Sequence, residues 1–240
     1  MLSVFIVNHI PESGAVRLDG DEGHHAAKVV RVNVGEEIIV TDGRGTKALV
    51  TVTNIHKDKV ECTINTREFE GVPHISFTVV QALTKSDRAR ETVELLTEAG
   101  VNSIIPWGAA RSIGQWKNDD DSRSKWQNWA KESTKQSRRT WIPSIEELHS
   151  SKDVVNAIDA YDCVLLCDEG SEVKVSNLLQ GKKYSKVLII IGPEGGITPE
   201  EREIFARAGA HVVGLGKPVF RSAHAGAAAL AAVQTALGIW

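Results

Sequence analysis

Lys186-Val187-Leu188-Ile189-Ile190-Ile191-Gly192-Pro193-Glu194-Gly195-Gly196-Ile197-Thr198-Pro199-Glu200-Glu201 is the stretch whose reading decides the fold. Residues 187–191 form a continuous apolar run rich in β-branched side chains, the composition of a strand buried on both faces in a parallel sheet. The run stops at Gly-Pro-Glu-Gly-Gly, a turn that an ordinary surface loop does not need. Adjacent glycines permit positive φ and let another group come close to bare backbone. Thr198 then reads as an N-cap and Pro199 as the first helical residue. Glu200 and Glu201 fall in the first turn, where the helix dipole favours them. Strand, glycine turn and helix start together mark the usual ligand position in an open α/β sheet, outside the carboxyl end of a strand.

The same residues constrain the ligand. A phosphate-gripping loop has a longer glycine stretch followed by Lys and Ser/Thr, and a dinucleotide loop has Gly-x-Gly-x-x-Gly; neither is present. Glu194 inside the turn repels phosphate and suits a hydroxyl, an amine or a backbone donor.

Working outward, 240 residues with 42% apolar composition suit one large or two modest domains with a real core. A formal net charge of −3 gives no whole-molecule signature of nucleic-acid binding, so any such role rests on local patches. The first residues lack a basic n-region and run into Pro11 and Glu12, unlike a secretory signal. No apolar run approaches the ~20 residues of a membrane span. Three cysteines, Cys62, Cys163 and Cys167, form no even disulfide set and no metal spacing, which points to a reducing, cytoplasmic setting.

Residues 1–72 read as mainly β: short strands at 4–7 and 15–18, a hairpin across Asp42-Gly43-Arg44-Gly45, and a further strand at 59–64. Between them, residues 22–32 are helix-like, with Ala26, Val29 and Val30 expected on one side. Many short strands with one small helix suggest a compact barrel. At helical spacing His24, Lys28 and Arg31 share a face, either a solvated ridge or a grip on RNA phosphates. His24 and His25 are also possible metal ligands in type, but no further Cys or carboxylate spacing completes a site, and no metal is expected.

Near Pro73 the pattern changes to strand-like runs alternating with helix-like ones through the rest of the chain, which predicts a mainly parallel sheet with helices on its faces over 73–240. Lys85, Arg88 and Arg90 follow the first of these strands, where loops tend to carry function. Arg123, Lys125, Lys131, Lys135, Arg138 and Arg139 share a segment with Trp126, Trp129 and Trp141. Such a mixture either stacks on unpaired bases or forms an amphipathic helix with its tryptophans in the core. Asp119-Asp120-Asp121 upstream reads as a solvated loop. Further on, a strand at 211–215 ends in glycine, and Arg221 opens the Ala-rich helix after it. The dipole disfavours a cation there, so Arg221 is a candidate for holding an anion or a developing negative charge. His224 is a candidate acid or base near neutral pH.

Ile191-Gly192-Pro193-Glu194-Gly195-Gly196 paired with Leu215-Gly216 and Val219-Phe220-Arg221 resembles the SPOUT superfamily of knotted RNA methyltransferases. Gly23-His24-His25, Val29-Val30-Arg31, Gly35-Glu36 and Asp42-Gly43-x-Gly45 narrow the resemblance to the RsmE type, whose members methylate N3 of a uridine near the 3′ end of 16S rRNA. Lys85, Thr97-Glu98-Ala99-Gly100-Val101, Arg111-Ser112 and Gln136-Ser137-Arg138 extend the match over nearly the whole chain. The resemblance implies a PUA-like β-barrel that binds RNA and an α/β domain with a C-terminal trefoil knot. It also implies a homodimer acting on the small ribosomal subunit, with S-adenosyl-L-methionine as cofactor. By the same resemblance Leu166, Gly192, Pro193, Glu194, Gly195, Gly196, Leu215, Gly216, Val219 and Phe220 would hold the cofactor. Read from the residues themselves, Arg221 and His224 would carry the chemistry, and His24, Arg31, Lys85, Arg88, Arg138 and Arg139 would meet RNA. The chain departs from the pattern at Ala223 and His224, where the family often has Glu and Thr, and at Leu95 and Lys135. A 2′-O-ribose methyltransferase and a non-catalytic RNA-binding SPOUT protein are the alternative expectations.

Overall fold

The computed structural model describes residues 2–240; of residues 86 and 87 only the helical backbone is described. The chain divides into two compact units, Met1–Val72 with Lys131–Ile142, and Pro73–Ala130 with Pro143–Trp240.

The first unit is a five-stranded sheet in the order β1-β3-β4-β5-β2, formed by β1 (Val4–Ile6), β2 (Ala15–Leu18), β3 (Glu37–Thr41), β4 (Thr46–His56) and β5 (Lys59–Phe69). Only β1 and β3 pair in parallel; the other ladders are antiparallel. Strict alternation along β4 sends Ala48, Val50 and Val52 into a core shared with Phe5, Ile38, Val40 and Val60. Irregularities at Leu49/Val50 and Val52/Asn54 curl the long β4–β5 ribbon, since a bulge adds local twist.

The helical segment departs from expectation. Helix α1 (Gly20–His24) passes into a π-helix over His25–Val30, and Arg31 closes it at φ +61°. Ala26 is fully buried, whereas Val29 is 60% exposed and Val30 38%. A π-turn takes more residues per turn than an α-turn, so α-helical spacing does not keep these three side chains on one face.

The second unit is a six-stranded, all-parallel sheet in the order β11-β9-β10-β6-β7-β8. Its strands are β6 (Ser76–Ala82), β7 (Ser103–Trp107), β8 (Ser144–Ile145), β9 (Cys163–Cys167), β10 (Lys186–Ile191) and β11 (His211–Val213). β10 is central and buried on both faces, as its composition predicts: Val187, Ile189 and Ile191 join one core, Leu188 and Ile190 the other. Helices α2 (Ser86–Glu98), α5 (Val175–Leu179) and α7 (Ser222–Ala236) pack together, and their buried residues join the first of these cores. Helices α4 (Ser151–Ala157) and α6 (Pro199–Arg207) pack together and contribute Val154 and Phe205 to the second.

Helix α3 (Asp119–Gln136) corrects a second expectation: Asp119, Asp120 and Asp121 are its first turn rather than a loop. Three carboxylates are well placed at the positive end of a helix dipole, which outweighs their weak intrinsic helix preference. Trp126 is buried and Trp129 packs against the same core, the amphipathic-helix outcome. Thr198 caps α6 in a reciprocal box with Glu201, and Pro199 follows at the first helical position.

Candidate active site

Because β9, β10 and β11 are parallel neighbours, their carboxyl ends lie on the same edge of the sheet. Three loops therefore gather there: 168–174 after β9, 192–198 after β10 and 214–221 after β11. The loop after β10 closes with a 2.9 Å bond from Gly196 N–H to the Pro193 carbonyl, with Gly196 at φ +74°. Gly216 holds φ +126° in the loop after β11. Both positions are costly for a residue with a side chain.

Other glycines serve close approach. A methyl group on Gly192 would lie 2.5 Å from Ile197 Cγ1, and one on Gly195 3.0 Å from Arg111 Cβ. On Gly214 it would lie 2.1 Å from the Ser171 carbonyl oxygen. Arg111, in the loop after β7, donates from Nη1 to the Gly195 carbonyl at 3.2 Å. Backbone meets backbone at Gly214 and Ser171, whereas Gly192 and Gly195 leave room for the Ile197 and Arg111 side chains.

A buried polar chain fixes the first turn of α7 to this edge. Gln81, the penultimate residue of β6, donates from Nε2 to Ser222 Oγ at 3.2 Å, and Ser222 Oγ donates to the Gly192 carbonyl at 2.6 Å. Gln81 Oε1, Thr84 Oγ1 and Ser112 Oγ are buried without a hydrogen-bond partner. All three belong to β6, the loop after it, or the loop after β7. Orphaned buried polar atoms carry a cost that a bound polar ligand relieves.

Arg221 is the N-cap residue of α7, exposed and, among the described residues, in no ion pair. His224, one turn on, has Nε2 3.1 Å from Glu91 Oε1 on α2, and Arg88 Nη1 is 2.8 Å from Glu91 Oε2. Glu91 is held below the usual carboxylate range, first by its hydrogen bond from Arg88 and then by that from His224. It is therefore an ionised acceptor at neutral pH. With Nε2 directed at Glu91, the other ring nitrogen of His224 is left for a proton acceptor's role. The sequence marked Arg221 and His224 but not Glu91, whose part arises from contact between two helices distant in the chain.

The remaining candidates are placed as follows. Val219 is 70% and Phe220 46% exposed beside Arg221. Leu215 is half-buried against the core, and Pro193 is buried while Glu194 is exposed. The Leu166 side chain is fully buried in the core with Leu188, Ile190 and Phe205, inside a strand paired on both sides. Lys85 is exposed directly after β6, and Arg88 is engaged with Glu91. In the first unit His24 lies 3.5 Å from Asp58, Arg31 is exposed at the end of the π-helix, and Arg138 and Arg139 follow α3.

Glu201 is a structural residue that sequence reading placed only in the first turn of α6. It is buried, and its carboxylate accepts from Ala110 N–H at 2.8 Å, Ser151 Oγ at 2.9 Å and Thr198 N–H at 3.2 Å. Among the described residues no group of three His, Cys, Asp or Glu side chains is gathered for a metal ion, and no helix is long and apolar enough to cross a membrane.

Comparison with known proteins identifies the family. Residues 72–234 match the RNA methyltransferase domain family, and residues 18–65 match the RNA methyltransferase PUA domain family. The chain is 34% identical to ribosomal RNA small subunit methyltransferase E of Mycobacterium bovis, over 99% of this chain and 93% of that protein. It is 32% identical to the protein of the same name in Bacillus subtilis, over 94% and 91%. A crystal structure of ribosomal RNA small subunit methyltransferase E from Neisseria gonorrhoeae, bound to S-adenosyl methionine, superposes with a TM-score of 0.86 at 24% identity, covering 98% of each chain. That last likeness is one of fold.

Proposed function

From the premise that this chain belongs to the family of ribosomal RNA small subunit methyltransferases E, we propose that it transfers a methyl group from S-adenosyl-L-methionine to N3 of a uridine near the 3′ end of 16S rRNA. The observation that carries the reading is the glycine-walled edge of the sheet. Glycines let loop segments pack closely there and, among the described residues, three buried polar atoms lack partners and Arg221, in no ion pair, opens the helix beside them. S-adenosyl-L-methionine supplies an electrophilic methyl on a sulfonium.

The residues fit that cofactor. Gly192, Pro193, Glu194, Gly195 and Gly196 would hold the cofactor through their peptide groups. Glu194 suits an amine or ribose hydroxyls better than it suits phosphate. Leu215, Gly216 and the main chain of Leu166 belong to the adjoining strand ends, and the exposed Val219 and Phe220 would cover apolar surface of the ligand on binding.

Methyl transfer to nitrogen is an in-line displacement, so most of the protein's contribution is positioning. The N3 proton of uracil has to leave for the nitrogen to attack, and negative charge then spreads onto the flanking carbonyl oxygens. Arg221, permanently charged, cannot take that proton. It stabilises the charge on the oxygens instead. His224, whose Nε2 lies 3.1 Å from Glu91, would accept the proton.

The first unit, with His24, Arg31, Arg138 and Arg139, grips rRNA, and Lys85 and Arg88 extend the contact from the second. The working division is Met1–Val72 with Lys131–Ile142 for RNA and Pro73–Ala130 with Pro143–Trp240 for chemistry. The protein acts as a homodimer on the small ribosomal subunit in the cytoplasm, and its C-terminal loops form a trefoil knot. The test is transfer of methyl label to small subunits from cells lacking this protein, followed by nucleoside mass spectrometry. The reading requires 3-methyluridine; a 2′-O-methylated nucleoside would refute it.

A further inference from the structure

The first unit holds a cavity of about 360 Å³ in which the methyl-transfer chemistry has no part. Ile39, Ala48 and Leu49 of β3 and β4 give it an aliphatic lining. Lys47, Arg138 and Arg139 set three cations around it against one carboxylate, Glu68, whose Oε2 is 3.3 Å from Lys47 Nζ. Pockets for small organic groups begin at about 300 Å³ and combine an apolar wall with a few polar anchors.

Arg138 provides a second observation. Arg138 N–H bonds to the Lys135 carbonyl at 3.2 Å and Arg139 N–H to the Thr134 carbonyl at 3.1 Å, ending α3 in a Schellman turn. Arg138 occupies the left-handed position of that turn at φ +58°. Glycine takes this position without steric cost; arginine does not. A cation is thus kept on a strained backbone at the mouth of a cavity. Next to it, burial draws the Arg139 guanidinium down to about 10, only partly offset by Glu70.

We propose that this cavity takes one unpaired nucleotide of the substrate RNA, other than the one methylated, with its base between the aliphatic walls and its phosphates on Arg138 and Arg139. Glu68 accepts from a ring or amino N–H of the base. Such splayed-out nucleotides are the usual means of reading RNA sequence, because a paired base hides its edge. The inference rests on the methyl-transfer reading for the identity of the RNA, but the cavity itself does not.

The test is binding of the full chain to a short fluorescein-labelled single-stranded RNA of mixed sequence, followed by anisotropy across a salt series. Arg138→Gly removes the charge and relieves the strained turn, so its melting temperature should be no lower than that of the unmodified protein. Its affinity should fall about tenfold, with the salt slope reduced by about 0.7, the value for one phosphate contact on a single strand. Thr66→Trp fills the cavity from its mouth without changing charge; affinity should fall and the salt slope stay. Leu49→Phe fills the same space from its floor and serves if Thr66→Trp folds poorly.

Wild-type binding by well-folded forms of all these variants would overturn the proposal. So would a loss confined to Arg138→Gly, which would mark a surface phosphate contact only. Cytidine monophosphate competing as tightly as the oligonucleotide would reassign the cavity to a free nucleotide. Methyl transfer to small-subunit RNA is measured alongside. Cavity-dependent RNA binding without transfer sinks the functional reading and leaves the cavity; transfer with cavity-independent binding does the reverse.

Discussion

Arg221 occupies the N-cap position of α7, where the helix dipole opposes a cation and where Ser, Thr, Asp or Asn would satisfy the first backbone donors. Its side chain makes no cap and, among the described residues, no ion pair, so removing it withdraws little from the fold. Arg221→Ala should therefore leave the melting temperature nearly unchanged. It should lower single-turnover methyl transfer by about 10²–10³, the usual loss when a donor to a developing oxyanion is removed. His224 is coupled to Glu91 at 3.1 Å, and in the proposed function it takes the N3 proton. His224→Ala should cost about 10² at neutral pH with cofactor affinity retained. The rate of that variant should climb with pH as uracil itself ionises, whereas a purely structural role would give a flat deficit. Arg221 stands out in the sequence because a cation at a helix start breaks a local rule. Glu91 and Glu201 do not, since their roles depend on α2 meeting α7 and on residues 110 and 151 meeting α6.

At the scale of elements, β10 and its loop were read almost to the residue, because a buried parallel strand, a glycine turn and a capped helix each leave a separate chemical mark. The π-helical turn at His25–Val30 left no such mark; a segment with one extra residue per turn looks α-helical in sequence. The acidic run 119–121 was misread as a loop because propensity was weighed without the dipole.

Two predictions belong at this scale. Gly214 lies at the end of β11 with the Ser171 carbonyl beneath it. Gly214→Ala forces backbone apart and should cost about 1–3 kcal/mol in urea unfolding, with weakened cofactor binding by calorimetry. Asp162 anchors the start of β10, accepting from Ser185 N–H at 2.8 Å and Lys186 N–H at 2.9 Å. These bonds, Ser185 first, hold its carboxyl below its ordinary value of 3.8. A folded-state value lower than the unfolded one stabilises above the unfolded value, and the contribution disappears as pH falls through the lowered one. Asp162→Ala should thus melt earlier than wild type at neutral pH, and the gap should close below pH 3.8.

On the scale of the molecule, the chain combines a β-rich unit that carries a cation-rimmed cavity with an α/β unit that carries the glycine-walled edge. The alternation of strand and helix signals after Pro73 made the second unit readable. The return of Lys131–Ile142 to the first unit was not readable, because Gly45 bonding to Thr140 and Ile142 bonding to Gly43 are long-range events. The central claim is that this molecule methylates N3 of one uridine of small-subunit rRNA. Methylation there removes the N–H that pairs with adenine, so it blocks copying of the strand. The most direct measurement is reverse transcription across 16S rRNA from unmodified small subunits, before and after incubation with the protein and S-adenosyl-L-methionine. A single new cofactor-dependent stop at a uridine near the 3′ end, absent with Arg221→Ala, is the result predicted. A protein that binds cofactor and subunits yet produces no stop, or a stop at another kind of nucleotide, would contradict it.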